Sequence, residues 1–403
     1  MNMFSHLTEQ LEREVRTVQK VLVMSEGLRY LMFGPQKPSA PNRSQPENGA
    51  DEATRAVRTV TENDIDKLDW QIYDHCAALT RIYAAYERFV SELVGEYVVL
   101  LPKLFATYPE LPPAVTNRHR LGIGRILLKM REKGSYGKLQ EEAVVRELAV
   151  GLSGAEGYTL LAEAFLIDRQ NLRFPILTAI FGALGFKDSG RFVKRHPLVT
   201  EFIKRERADN SSAQKELEDF VEYRNEAAHR RVENVLSADA IGSIGRFASA
   251  LCHALADMVE QAALFRQISV GQYLKALSVS ETHYKGFVVI GALADHAHLS
   301  VGDELLIKSN TKCERAAIES LQLSGQDVTA TTGDGRRRVG IRLTRKCTQG
   351  AELWLAVTRA EEPETQQLSL EGATPTATDS ADTDLPETNS ETIPDARETN
   401  TRD

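Results

Sequence analysis

A chain of 403 residues, 42% of them hydrophobic, is long enough for two or three domains with sizeable cores. Its net charge of −8 sits at one end: residues 361–403 hold twelve Asp and Glu against two Arg, which leaves residues 1–360 at +2. That excludes a general basic field for nucleic acid, so any RNA contact must come from a local patch. Four scattered cysteines, Cys76, Cys252, Cys313 and Cys347, make neither the paired spacing of a zinc site nor a disulfide framework. There is no run of about 18 apolar residues, and Glu9, Glu12 and Glu14 interrupt the stretch where a secretory signal would be apolar. The expected location is cytoplasmic.

In chain order, residues 1–34 read as a helix that packs on the rest, with Leu7, Leu11, Val15, Val18, Leu22 and Leu28 in one apolar stripe. Residues 35–60 are rich in Pro, Ser, Asn and Glu and are expected to form a disordered insertion, because they cannot bury enough apolar surface to order themselves. Thr61 followed by Asp64 resembles a capping box. Leu68, Ile72, Cys76, Leu79, Tyr83, Tyr86, Val90, Leu93 and Tyr97 then predict a long core helix ending near Leu101-Pro102. Glu87 sits beside this stripe, either as a solvated edge carboxylate or as a partner for a cation across the bundle. Residues 108–136 contain Pro109, Pro112, Pro113 and several glycines and read as a connection between helices. Their cluster Arg118, His119, Arg120, Arg125, Lys129, Arg131 and Lys133 is the most basic part of the helical region, either an RNA grip or a solvated face. Helices are expected at 138–152, 157–168 and 172–184, with another after Pro197.

The stretch from Glu216 to Arg230 reads as a helix whose apolar positions are Leu217, Phe220, Val221 and Ala228. Arg224 falls on that stripe, and Asn225 and His229, four apart, lie together at its edge. A guanidinium cannot shed its charge, so on a buried face it must be paired or must line a polar cleft. Arginine, amide and imidazole on adjoining faces make a candidate site for a phosphate or another anion. The alternative is structural, with the arginine folded over apolar neighbours and the histidine facing the helix dipole.

An R-N-x-x-x-H run late in an all-helical region, here Arg224, Asn225 and His229, resembles the signature of the HEPN family. Ile82 to Val90, and Asn171-Leu172-Arg173 with the run to Gly185, are similar to further stretches of that family. The resemblance covers residues 61–268. It implies an all-α bundle, a metal-independent endoribonuclease of toxin–antitoxin, anti-phage defence or stress systems, and two motif copies meeting at a homodimer cleft. It implies RNA as substrate, no cofactor, and an antitoxin or other regulatory partner. In that chemistry Arg224 holds the phosphate oxygens, His229 moves the proton and Asn225 orients imidazole or substrate. The family also contains non-catalytic members that bind RNA or act as scaffolds.

Ser237 reads as the cap of a last helix, with Ile241, Ile244, Ala248, Leu251, Leu255, Met258, Ala262 and Phe265 at helical spacing and an end near Gln267. A two-residue period then takes over. Phe287 to Ile290, Leu305 with Ile307, Val339 with Ile341 and Leu343, and Leu353 with Leu355 and Val357 predict strands separated by glycine turns. Residues 269–360 are expected to form a small antiparallel β-barrel. The runs Val301 to Leu305, Ile318 to Gln322 and Arg338 to Leu343 resemble the second domain of elongation factor Tu and other translational GTPases. No G-x-x-x-x-G-K-S/T phosphate loop accompanies them, which implies a detached barrel without GTP hydrolysis. His296 and His298, two apart, can offer imidazoles to a metal only if further ligands join them, and no metal is expected. Arg336, Arg337, Arg338 and Arg342, with Arg345 and Lys346, form a candidate basic edge for RNA or ribosome contact. The expected architecture is thus multidomain, α then β, ending in a disordered acidic tail at 361–403.

Overall fold

The computed structural model describes residues 2–33, 66–130, 136, 139–167, 171–207, 211–229, 232, 234–284, 287–334, 337–348 and 350–357; of His229 and residues 278–284 it describes the backbone only. The insertion expected at 35–60, the cap at Thr61 and Asp64, and the acidic tail lie outside these residues. So do Arg131, Lys133 and Arg336. Residues 1–357 form one compact unit. None of its described helices is long and apolar enough to cross a membrane.

Helices α1 (Ser5–Phe33), α2 (Lys67–Leu104), α3 (Pro113–Lys129), α4 (Glu141–Leu152), α5 (Phe174–Ala183), α6 (Ser189–Arg195), α7 (Pro197–Glu206), α8 (Ala213–His229) and α9 (Ala238–Ser269) make the helical part. α1, α2 and α9 pack on one another along their lengths. Leu7, Leu11, Val15 and Leu22 of α1 are buried, but Leu28 is 51% exposed. Six residues of helix turn Leu28 away from Leu22, whereas Ser25 and Arg29, three and seven on, stay on the packed face. There Asp74 of α2 accepts from both of them, and the Trp70 indole donates to Ser25 Oγ at 2.8 Å. α2 starts at Asp66, whose carboxylate accepts the Leu68 N–H at 3.3 Å. It carries Pro102 in its last turn and ends at Leu104. Ser237 caps α9 through Ala240 N–H, 3.2 Å from its hydroxyl.

The region read as a connection is core. Pro112 and Pro113 start α3 instead of breaking the chain, because a first-turn N–H has no helical acceptor and is not missed. Val115, Ile123 and Ile126 are buried. Gly122 lets another segment come close: a Cβ there would stand 2.3 Å from Ala164 O. That segment is where a helix was expected at 157–168, and among its described residues it holds only a single 3-10 turn (Ala162–Phe165). Its extended start is tied down elsewhere, with Leu161 N–H donating to His119 Nε2 at 3.1 Å and the Tyr158 hydroxyl to Phe105 O at 3.1 Å. Since Nε2 accepts, His119 carries its proton on Nδ1, toward the Tyr108 oxygen at 3.1 Å. His119 is 1% exposed, and burial pushes its pKa down to about 4. Arg118 donates to Phe165 O at 3.3 Å, and Arg120 lies over the Tyr108 ring. The expected basic patch is therefore in part a set of core supports.

Strands β1 (Tyr273–Lys275), β2 (Leu277–Tyr284), β3 (Val288–Leu293), β4 (His298–Ser300), β5 (Glu304–Lys308), β6 (Cys313–Leu323), β7 (Gln326–Val328), β8 (Ala330–Thr332), β9 (Arg338–Leu343) and β10 (Glu352–Ala356) follow. They pair antiparallel in the order β1-β10-β5-β6-β9-β3-β2, with β7 on β6 and β4 with β8 apart. Ser324 and Gly325, at φ 51° and 81°, make the tight turn that joins β6 to β7. Val339, Ile341, Leu343, Leu305 and Leu353 fill one core, as their alternation predicts. The pairing is an open series and not the closed barrel expected: no described ladder joins β2 to β1. The two are consecutive through Ala276, where the chain bends from one ladder to the next. Its N–H donates to Leu353 O at 2.8 Å and its carbonyl accepts Ala294 N–H at 3.0 Å.

β5 is buried on both faces because Leu306 and Cys313 pack, on the far side from that core, against Leu264 and Ile268 in the last turns of α9. Arg315 of β6 reaches Glu260 of α9 at 3.1 Å and also bonds Glu304, while Arg266 donates to Leu104 O at 3.0 Å and covers Phe105.

Two measurements check this packing. Gly122→Ala raises intrinsic helix propensity by ~1 kcal/mol, yet the contact with Ala164 costs about 1–3 kcal/mol by overpacking, so the urea midpoint should fall at constant slope; a rise would show that the two segments are not in contact. His119 has a depressed folded-state pKa, so its contribution is complete above the unfolded value of about 6.5 and is lost as pH falls toward about 4. Wild type should therefore lose ~3 kcal/mol across that window relative to His119→Gln, and equal pH slopes would contradict a buried neutral imidazole.

Candidate functional site

α8 opens beside a polar turn in which the Ser211 hydroxyl and the Arg207 guanidinium donate to Glu216 at 2.6 and 2.7 Å. Its buried face is Ala213, Leu217, Phe220 and Val221. Phe220 meets Tyr83 of α2 edge-on at 5.6 Å between centroids and Tyr86 at 6.0 Å. Ala228 is exposed and Ala227 packs in its place. Arg224 continues the same face, half-buried, with its guanidinium carbon 4.5 Å from the centre of the Tyr83 ring. A cation over the negative face of an aromatic ring is attracted by about 0.5–2 kcal/mol. This is how the charge is accommodated on an otherwise apolar stripe.

The polar contacts of Arg224 are few. Nη1 donates to Asn225 Oδ1 at 3.0 Å and reaches Asn171 Oδ1 at 3.5 Å, the outer limit of a hydrogen bond. Nε is buried without a partner. Among the described residues no carboxylate pairs with Arg224. The nearby carboxylates are engaged by another arginine: Arg173 sends Nη1 to Glu218 at 2.8 Å and Nη2 to Glu222 at 2.9 Å. Both acids belong to α8, and Arg173 is the N-cap of α5, so this fork fixes the 171–173 segment against the motif helix.

The same segment is fixed on its other side by α2. Leu172 N–H donates to the Tyr83 hydroxyl at 2.8 Å, and the Tyr86 hydroxyl donates to Leu172 O at 3.1 Å. Asn171 precedes this clamp in the left-handed region, φ 49°, a conformation that asparagine accepts more readily than most residues. Burial first, and then the Glu87 carboxylate, push the Tyr83 phenol well above its ordinary pKa, while Leu172 N–H and Arg224 oppose them. Tyr83 therefore stays protonated at neutral pH and serves as a platform.

The geometry brings Arg224 and Asn225 together. His229 closes α8, and its side chain lies outside the described residues. Glu87 makes no ion pair with Arg224 and faces the Tyr83 hydroxyl instead. The basic edge expected on the strands is largely offset by acids. Arg337 lies 3.7 Å from Asp334, Arg342 donates to Glu319 at 2.8 Å, Arg345 pairs with Glu314 at 3.0 Å, and Arg338 opens β9. Leu104, at the joint with the strands, is about 30 Å along α2 from Tyr83 at 1.5 Å per residue. His296 Nε2 lies 2.9 Å from Lys275 O and His298 Nδ1 lies 3.0 Å from Thr332 Oγ1, so the two rings make separate contacts. Among the described residues no group of three or more His, Cys, Asp or Glu is arranged to hold a metal ion.

Sequence reasoning did not foresee Tyr83 as the partner of Arg224, nor the approach of Asn171. An arginine on an apolar stripe announces a partner. An aromatic ring on the facing helix was as good a candidate as Glu87, one turn away.

No curated protein and no solved structure matches the chain. The likeness of the strands to the second domain of elongation factor Tu is accordingly unsupported. A model of the RiboL-PSP-HEPN family matches residues 51–261, just over half of the sequence, and the chain belongs to that family.

Proposed function

We propose that this protein is an endoribonuclease that cleaves RNA by attack of the 2′-hydroxyl on the neighbouring phosphorus, with its catalytic unit in residues 61–268. One observation carries the reading. Arg224 is a half-buried cation that pairs with no described carboxylate, while the adjacent Arg173 takes both Glu218 and Glu222. A site that leaves one arginine open and closes the next is suited to an anion supplied from outside. RNA carries its own nucleophile, so such a site needs a cation for the phosphorane oxygens and a group that moves a proton. Arg224 supplies the first. His229, about one and a half turns further along α8, supplies the second, imidazole being the side chain suited to taking and giving a proton near neutral pH. Asn225 holds Nη1 at 3.0 Å, which fixes the tilt of the guanidinium. No step of this scheme calls on a metal ion, and its products are a 2′,3′-cyclic phosphate and a 5′-hydroxyl. The role in this reading is in toxin–antitoxin, defence or stress systems, which membership of a HEPN family supports.

The working form in this reading is a homodimer. Val23, Met24, Leu28, Leu31 and Tyr73 are exposed apolar side chains at the end of α1 and the start of α2. Leu236, seven residues past α8, lies there too, its N–H donating to buried His75 of α2 at 3.0 Å. A second copy covering this end would bring two motif helices near one axis.

Purified protein in excess chelator should cut mixed RNA and leave cyclic phosphate ends. His229→Ala should lower cleavage roughly 10²–10⁴-fold with RNA affinity nearly unchanged. Arg224→Ala should weaken both, and Arg224→Lys should rescue in part, since an ammonium lacks the planar fork. Well-folded His229→Ala protein that cuts RNA at the full rate would contradict the assignment and leave a binding module. Sedimentation at micromolar concentration should show a dimer for wild type and a monomer for Met24→Glu/Leu31→Glu; a wild-type monomer that cuts RNA would show that one motif suffices.

A further inference from the structure

Three cavities meet where the helices join the sheet, and each is lined by Glu314 and Arg345. One, of about 600 Å³, lies between α6, the start of α7 and the β5–β6 turn, and includes Arg191, Phe192, Arg195 and Lys312. Another, of about 760 Å³, runs along the sheet past Phe287, Asn310, Lys312 and Lys346. The third, of about 270 Å³, reaches Asp257 and Glu260 of α9. Glu314 and Arg345 are a wall common to all three, so the cavities adjoin as one grooved surface. The two larger volumes lie in the range of small-ligand sites, roughly 300–1,000 Å³.

Over the whole groove acids and bases nearly balance, so what matters is which of them are already engaged. Glu260 and Glu304 are held by Arg315. Asp257 accepts from His196 at 3.1 Å and from Asn2 at 2.7 Å; burial alone would raise its pKa, and these bonds hold it below the usual carboxylate range. Lys312 and Arg345 share the single carboxylate Glu314 at 2.6 and 3.0 Å, which leaves one positive charge over. Arg191, Arg195 and Lys346 are exposed and pair with no carboxylate among the described residues. The acids are thus committed to internal contacts, Asp188 apart, and the rim is cationic. Phe192 is half-buried in the first cavity and Phe287 is 45% exposed in the second.

We propose that this groove binds single-stranded RNA, with phosphates on Arg191, Arg195, Arg345 and Lys346 and bases stacked on Phe192 and Phe287. Cations beside aromatic faces are the sequence-tolerant way to hold a single strand. A duplex keeps its bases stacked inside and offers those rings nothing. An acidic protein segment would use the cations and leave the rings unused. α6, which supplies Arg191 and Arg195, touches the motif helix: Lys194 donates to Gln214 of α8 at 3.2 Å, and Arg224 lies about 15 Å further along α8. Delivery of the strand to Arg224 rests on the ribonuclease reading; the binding itself does not.

The test uses the full chain carrying His229→Ala, so that the probe survives, and a labelled oligouridine of about twelve nucleotides. Arg191→Gln/Arg195→Gln should weaken binding roughly tenfold and reduce the slope of log K against log salt by about 0.7 for each phosphate contact removed. Phe287→Ala should weaken it by a similar factor without changing the slope. These side chains are exposed or half-exposed, so thermal melting should be unchanged. Unaltered affinity and slope in these variants would overturn the proposal, as would polyglutamate or an RNA duplex competing as well as the single strand. Cleavage of a dinucleotide, too short to reach the groove, should survive Arg191→Gln/Arg195→Gln in the otherwise wild-type chain. If wild type cuts nothing, the ribonuclease reading fails while the binding result still decides the groove.

Discussion

A guanidinium on the buried face of a helix is the constraint around which the helical part is arranged. Arg224 cannot become neutral, and a carboxylate partner would close it to any other anion. The fold resolves this with the face of Tyr83, which stabilises the cation without neutralising it. Tyr83 in turn is held by the Leu172 N–H, and Leu172 by the Tyr86 hydroxyl. The Arg173 fork then draws Glu218 and Glu222 to the 171–173 segment. Apart from that ring contact, each is an ordinary hydrogen bond or ion pair, and together they leave Arg224 without a carboxylate among the described residues in a crowded neighbourhood of acids.

α2 is the element that makes the arrangement rigid. It presents Tyr83 and Tyr86 to α8 midway along its length and delivers Leu104 and Phe105 to Arg266 at its end. One continuous helix therefore spans both the motif and the joint with the sheet. The strands are seated by apolar contact of Leu306 and Cys313 with Leu264 and Ile268, and by Arg315 between Glu260 and Glu304. Seating the sheet on α9 also creates the groove, whose walls come from both parts.

Much of this was legible in the residues. The α2 stripe from Leu79 onward, the α9 stripe, the Ser237 cap and the alternation at Val339, Ile341 and Leu343 follow from local periodicity, as does the change from helices to strands, whereas Leu68, read onto the α2 stripe, is 52% exposed. Reading failed where tertiary contact overrode local signal. Pro112 and Pro113 looked like breaks and were a helix start, while Gly122 looked like a loop residue and was a point of close approach. Leu28 was assigned to a stripe that Arg29 completes, because a buried ion pair has no apolar period. Closure of the strands into a barrel depends on which ladders meet at Ala276, and alternation is silent about that. At the candidate site the motif residues were visible on spacing, but Tyr83 beneath Arg224 was not, since only the packing of two helices brings a ring and a guanidinium face to face.

If Arg224 is open to an anion and Arg173 is closed by its two carboxylates, the two side chains should respond differently to the same anion. Nitrogen-detected NMR of the arginine guanidinium groups, followed while inorganic phosphate is added, distinguishes them within one sample. Saturable shifts of the Arg224 resonances are expected, with little change at Arg173, whose fork is occupied by Glu218 and Glu222. Shifts at Arg173 with none at Arg224, or no shift at either, would contradict this.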